Sequence, residues 1–215
     1  MNHIQGNIKA VFGMRFSAVI ICLFFLLTTV HTFASEIRSI DTSQLEVKLA
    51  VTYVKGEGKP FSGKAVSNYV NGRQKNEEYY IDGKRDGLAT FWYENGQKEK
   101  EENWQGGKKE GVTTLWHANG QKSGDLYFVD GRRQGKHTMW HKNGQKSYEM
   151  NYKDGKFDGP FIEWYENGNK KLEATYSSGR KNGTESLWDE NGQLIKTMVW
   201  REGVLAEEGS STESK

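Results

Sequence analysis

The sequence predicts an all-β protein, an elongated single antiparallel meander of repeated 24-residue β-hairpins. Three observations predict it. Asn-Gly recurs at Asn71-Gly72, Asn95-Gly96, Asn119-Gly120, Asn143-Gly144, Asn167-Gly168 and Asn191-Gly192, always 24 residues apart. Two further glycine series keep the same step: Gly83, Gly107, Gly131, Gly155, Gly179 and Gly203, and Gly63, Gly87, Gly111, Gly135, Gly159 and Gly183. The aromatic residues follow suit, Trp92, Trp116, Trp140, Trp164 and Trp188 in one column and Tyr80, Trp104, Phe128, Tyr152, Tyr176 and Trp200 in another. A fixed period of this length marks units that cannot bury a face alone and do so against their neighbours.

In chain order, residues 1–34 read as a secretory signal. The run 16–30 is almost wholly apolar, Lys9 and Arg15 precede it, and Thr32-Phe33-Ala34 offers a cut after Ala34. Fifteen residues fall short of the roughly 20 a spanning helix needs, so cleavage is expected over anchoring. Met14 offers a second, more compact start. The expected location is exported, periplasmic or extracellular, in or near the envelope. The only cysteine, Cys22, lies inside the signal, so the mature chain forms no disulfide.

Residues 35–62 are expected to form a linker (35–44) and an N-terminal capping strand (45–54), in which Leu45, Val47, Leu49, Val51 and Tyr53 alternate strictly. Residues 63–206 hold six hairpins. Asn-Gly tolerates positive φ at both central residues, which predicts type I′ turns there. Asp82-Gly83, Asp130-Gly131 and Asp154-Gly155 mark the opposite turns. Turn centres 12 residues apart leave strands of roughly 6–8 residues, about twelve in all, extending on the order of 60 Å at the usual strand spacing. Residues 207–215 read as a polar tail.

Reflection about successive turns places each aromatic of the Tyr80 column opposite bare glycine on both sides, Trp104 between Gly87 and Gly111 for example. Aromatic cover of this kind repairs glycine in a sheet. Whether the two aromatic columns share a face depends on bulges near the turns, and both arrangements stay open.

The pattern Gly-x4-Trp-Tyr-Glu-Asn-Gly-Gln-Lys-x5-Trp-x2-Gly, running from Gly87 to Gly107 and again with changes from Gly159 to Gly179, resembles the bacterial MORN-repeat variant. The YwqK-type antitoxin-like proteins are built from that variant. The resemblance covers residues 63–205 and implies a MORN-like fold with a scaffold or a membrane- or protein-binding role.

Composition narrows the partners. Lys9 and Arg15 account for the formal charge of +2, and the chain after residue 34 is neutral. Neutrality argues against nucleic acid as the partner and leaves membrane contact open without favouring it. A protein partner is expected, with a glycan or cell-wall module using the aromatic rows as the alternative.

Trp92, Trp116, Trp140, Trp164 and Trp188 are the candidate binding surface, since aromatic faces suit sugar rings and cationic groups. Packing of each hairpin is the favoured reading of them, since a thin sheet has little else to bury. Lys98, Lys122, Lys146 and Lys170 form a basic column, balanced by Glu77, Glu101, Asp125, Glu149 and Glu173. Equivalent residues His117 and His141 stand two strands apart, about 9–10 Å, too far to share one metal ion. No metal site, cofactor or catalytic residue is expected. Asp and Glu recur with the period and single out no acid–base pair, so binding is expected rather than catalysis.

Overall fold

The computed structural model describes residues 37–210. The signal segment 1–34, its cut after Ala34, and the last residues of the expected tail, 211–215, lie outside the described residues. The rest is a long antiparallel meander, with a single 3-10 turn, Thr42–Gln44, as the only helical element among the described residues. Each typical hairpin joins a six-residue strand to an eight-residue one: Gly63–Asn68 with Gln74–Ile81, Gly87–Trp92 with Lys98–Gln105, Gly111–Trp116 with Lys122–Val129, Gly135–Trp140 with Lys146–Lys153, and Gly183–Trp188 with Leu194–Arg201. Lys156–Trp164 with Lys170–Ser177 completes the six, its first strand running unbroken from the end of the preceding turn.

The turn chemistry is the reverse of the expectation. At Asn95-Gly96 only the glycine has positive φ (90°). Gly96 N–H donates to the Tyr93 carbonyl and Tyr93 N–H to the Gln97 carbonyl, both at 2.8 Å. This is a three-residue loop closed by a left-handed glycine, a type I turn with a G1 bulge. Asn95 serves through its side chain, whose Oδ1 accepts the Gln97 N–H at 3.0 Å. The two-residue turns with positive φ at both centres sit at the other end, as at Asp82 (48°) and Gly83 (75°) between paired Ile81 and Lys84.

Register agrees with reflection on one side of each aromatic. Gly63 pairs with Tyr80, Gly87 with Trp104, Gly111 with Phe128, Gly135 with Tyr152, Gly159 with Tyr176 and Gly183 with Trp200. On the other side the partner is a residue two positions short of the next glycine: Trp104 meets Lys109, Phe128 meets Arg133, and Tyr152 meets Phe157. The strand then takes in two extra residues, so that Glu101 lies opposite Thr114 further along. An offset of two preserves the alternation of side chains. At the Asn-Gly end one extra residue sits on the long strand, where Trp92 pairs with Lys98 but Phe91 with Lys100. The two aromatic columns therefore occupy opposite faces.

One face is buried. Its central row reads Ala65, Glu78, Ala89, Glu102, Thr113, Leu126, His137, Met150, Phe161, Ala174, Glu185 and Met198 across successive strands. Ala65 is fully buried, and Glu102 and His137 are within 2% of it. A flat single layer leaves both faces open to water, so burial to this degree requires the sheet to bend toward this face. The left-handed glycines that open each short strand, such as Gly111 (φ 74°) and Gly135 (φ 66°), supply the corners.

Both edges of the meander are tied from repeat to repeat. Along one, Gly107, Gly131, Gly155, Gly179 and Gly203 donate their N–H to the carbonyls of Arg85, Lys109, Arg133, Phe157 and Lys181 at 2.7–2.9 Å. Asp86, Glu110, Gln134 and Asp158 accept the N–H of the next turn, as in Asp130 N to Glu110 Oε2 at 2.8 Å. Along the other, the Asn95, Asn119, Asn143 and Asn167 amides donate to the carbonyls of Ala118, Lys142, Glu166 and Glu190.

The ends differ from the expected cap and tail. Residues 45–54 are not one strand. They form a separate hairpin, Leu45–Lys48 with Val51–Val54, turning at Leu49 and Ala50 with φ of 51° and 63°. The sheet edge is covered instead by Ser39–Asp41, within the expected linker, which pairs in parallel with Gly63–Asn68. Ile40, Val54, Phe61, Ala65 and Tyr80, with Leu45 against them, close a small core. Phe61, 2% exposed, contributes about 2–3 kcal/mol to it by burial. Its carbonyl accepts from Gly83 N at 2.7 Å, the place Arg85 fills for Gly107, so Phe61 stands in for a preceding repeat. At the other end the expected tail begins inside a strand, Val204–Ser210, which among the described residues is paired with Leu194–Arg201 alone.

Candidate functional site

Trp92, Trp116, Trp140, Trp164 and Trp188 end the short strands on the outer face, and all five are half-buried. The preceding repeat holds four of them through a lysine. Lys98 lies over the Trp116 ring, Lys122 over Trp140, Lys146 over Trp164 and Lys170 over Trp188, with ammonium-to-centroid distances of 5.6, 5.8, 5.7 and 5.8 Å. The same lysines pair with Glu101, Asp125, Glu149 and Glu173 three residues on. The basic and acidic columns thus satisfy each other. Backbone capture completes the ladder. The Tyr69, Tyr93 and Tyr165 hydroxyls donate to the carbonyls of Trp92, Trp116 and Trp188 at 2.7, 2.8 and 3.0 Å. His117 and His141 occupy the same column, their Nε2 atoms 2.8 and 2.9 Å from the carbonyls of Trp140 and Trp164. A histidine there takes the place of a tyrosine. Among the described residues no group of three His, Cys, Asp or Glu is placed to hold a metal ion.

The family model for the MORN repeat variant matches residues 85–105, 133–154, 157–178 and 181–202. The chain carries MORN-variant repeats. Each matched segment runs from the second residue after a two-residue turn, through the next Asn-Gly turn, and down the following long strand. The copies at 63–81 and 111–129 lie outside the matches but keep the same register, Gly63 to Tyr80 and Gly111 to Phe128. No curated protein matches the chain significantly.

The buried face of the MORN sheet carries charge where the period alone gives no reason for it. Glu78 meets Arg85 at 2.5 Å, Glu102 meets Lys109 at 2.6 Å and Lys100 at 3.2 Å, and Glu185 pairs with Lys181 and accepts from Trp200 Nε1 at 2.7 Å. Burial raises the Glu102 carboxyl, and the two ammonium groups more than reverse it, holding it below the ordinary value. His137 has no such partner. It lies between the rings of Phe128 and Tyr152, at 6.0 and 4.5 Å, with Nε2 2.9 Å from the Tyr127 carbonyl and Nδ1 unpaired. Burial pushes its pKa below the usual imidazole value.

Sequence reasoning passed over a third location. Tyr148 and Glu163 pair across adjacent strands on the inner face, near the Asn-Gly edge. Glu163 takes the Lys171 ammonium at 2.7 Å and the Tyr148 hydroxyl at 3.1 Å on the same oxygen. An open cleft of about 470 Å³ lies against them, bordered also by His141, Trp164, Tyr165, Glu166, Asn167 and Glu190. The signal was present in the sequence as a broken period. The positions equivalent to Glu163 are Ser67, Phe91, Leu115, Met139 and Leu187, none of them charged.

Proposed function

We propose that this MORN-variant chain is an exported binding or scaffold protein of the cell envelope, presenting the outer face of its sheet to a protein partner. The observation that carries the reading is a set of exposed apolar side chains on that face. Leu88, Asn103, Val112 and Tyr127 fall on one row across four neighbouring strands, Val129 lies two residues beyond Tyr127, and the four apolar residues are 40–47% exposed. Burial on the inner face of the same strands gives these side chains no role there. Beside them runs a row that alternates small or apolar residues with acids, Thr90, Glu101, Thr114, Asp125, Thr138, Glu149, Ile162 and Glu173, suited to form the polar rim of an interface. Export is supported by the apolar run 16–30 and the small residue Ala34, and predicts a mature chain beginning at Ser35.

Crosslinked pull-down from envelope fractions tests the reading, with Val112→Asp/Tyr127→Asp as the comparison chain. A protein captured by the wild type and lost with the double variant, whose circular dichroism is unchanged, is the expected result. Retention on peptidoglycan with no protein captured would replace scaffolding by cell-wall binding. N-terminal mass spectrometry on the exported protein checks Ser35, and an intact 16–30 segment would mean an anchor.

A further inference from the structure

In a repeat protein the residues demanded by folding recur, and a residue that breaks its column answers a local demand. Glu163 breaks a column otherwise occupied by Ser67, Phe91, Leu115, Met139 and Leu187. Its strand neighbour Tyr148 stands where other copies have Asn76, Lys100, Gly124, Leu172 and Lys196. The two side chains and Lys171 form one polar cluster at the floor of the cleft, with Glu163 mostly buried (15% exposed) and Lys171 open to water at 46%. Replacing a leucine by a glutamate on a partly buried face costs stability unless the carboxylate is satisfied. Here a lysine and a tyrosine satisfy it.

The chemistry of the cleft limits what it takes. Glu163, Glu166 and Glu190 face one ammonium, Lys171, so an anion is disfavoured. The place a cation would take, between carboxylate and aromatic ring, is filled by Lys171 itself, 2.7 Å from Glu163 and 5.7 Å from the Tyr165 ring centre. What remains is a surface with a donor and an acceptor side by side, flanked by Tyr148, Trp164 and Tyr165. A vicinal diol matches that pair, one hydroxyl donating to the carboxylate and the other accepting from the ammonium, while the C–H face of its ring lies on an aromatic side chain. The volume is that of a small-ligand site. We propose that the cleft at Tyr148, Glu163 and Lys171 binds one neutral saccharide unit, a single site that borders Trp164 and is not repeated at the other tryptophans of the column.

Titration of the full mature chain with cellotriose and chitotriose, followed by amide chemical shifts, tests it. The expected result is saturable binding in the micromolar to millimolar range, with the largest shifts at residues 163–165 and 171. Glu163→Leu restores the residue of the equivalent Leu115 and Leu187, so it folds at least as well as wild type, and it should weaken binding about tenfold or more. Lys171→Ser, with the residue found at Ser123 and Ser147, should do the same. No saturable binding of either sugar up to about 10 mM, shifts spread equally over all five tryptophan repeats, or full affinity in Glu163→Leu would each overturn the proposal. So would tight binding of spermidine at this cleft. Neither result bears on the outer apolar side chains, which these substitutions leave intact.

Discussion

Replacing Gly135 separates two reasons a glycine can be required. Its φ is 66°, and a Cβ added there would meet only Tyr127 Cδ1, at an ordinary 3.9 Å. The site has room, so the cost of a side chain is conformational. Alanine in the left-handed region should cost about 1–2 kcal/mol, and a β-branched valine more, about 2–3 kcal/mol. Asparagine, which visits that region readily, should cost less than alanine. For a chain of this size 1 kcal/mol moves the melting temperature by about 2–4 °C, so Gly135→Val should melt ~4–12 °C early. Gly124 is the contrast. Its φ is not left-handed, but a Cβ would lie 2.7 Å from Met139 Sδ and 3.1 Å from Leu115 Cδ1. The loss in Gly124→Ala should therefore shrink in a Met139→Ala background, whereas the loss in Gly135→Ala should not. Urea or thermal unfolding of the set measures both. If asparagine at 135 is as damaging as valine, the left-handed backbone is not the cause and the bend assigned to these glycines is wrong.

Three further outcomes are expected. Deleting residues 111–134 removes one whole repeat and rejoins Glu110 to Gly135 in register, so the product should fold as a shorter β protein; deleting 111–122 reverses the strand direction downstream and should aggregate, as size-exclusion and circular dichroism would reveal. His137 is buried in its neutral form, so the unfolded chain takes up a proton near pH 6.5 while the folded chain does so only at lower pH. Stability should accordingly fall as pH drops below about 6.5 and level off once the folded-state pKa is passed; His137→Phe, the residue of the equivalent Phe161, should remove that part of the slope in a pH series of melting curves. Leu49-Ala50→Asn-Gly places left-handed-tolerant residues in a turn with φ of 51° and 63° and should slow hydrogen exchange across 45–54, a gain of about 1–2 kcal/mol; unchanged exchange would show that the turn is not strained.

The period, the hairpin unit and the pairing of each aromatic with one glycine were legible in the sequence because they follow from a count of residues. The turn types were not. Asn-Gly satisfies a type I′ turn and equally a type I turn with a left-handed glycine, and the choice depends on Tyr93 and Gln97 closing a three-residue loop. The N-terminal hairpin was hidden because Leu49-Ala50 carries no turn residue and continues an alternating run. The separation of the aromatic columns onto two faces rests on a two-residue offset that leaves no mark in the composition. Charges on the inner face were likewise unreadable: Glu78 and Glu102 sit in a column with Leu126, Met150 and Met198, and only the structure brings Arg85, Lys100 and Lys109 to them. The Tyr148–Glu163–Lys171 cluster needed both kinds of information, a broken column and the strand pairing that gathers its members.

The turn-to-turn hydrogen bonds give the protein a direction under load. Every repeat is fastened to the one before it at both edges, the N-terminal edge is covered by Ser39–Asp41, and the last described strand, Val204–Ser210, is held on one side alone among the described residues. Tension applied between the two termini would act across the strands, so the bonds of one pair would open in succession instead of sharing the force. The chain would peel from its C-terminal end, hairpin by hairpin, each step releasing 24 residues or on the order of 80 Å of extended backbone. Such a molecule lengthens in equal increments at modest force, a property suited to a tether between two moving attachments.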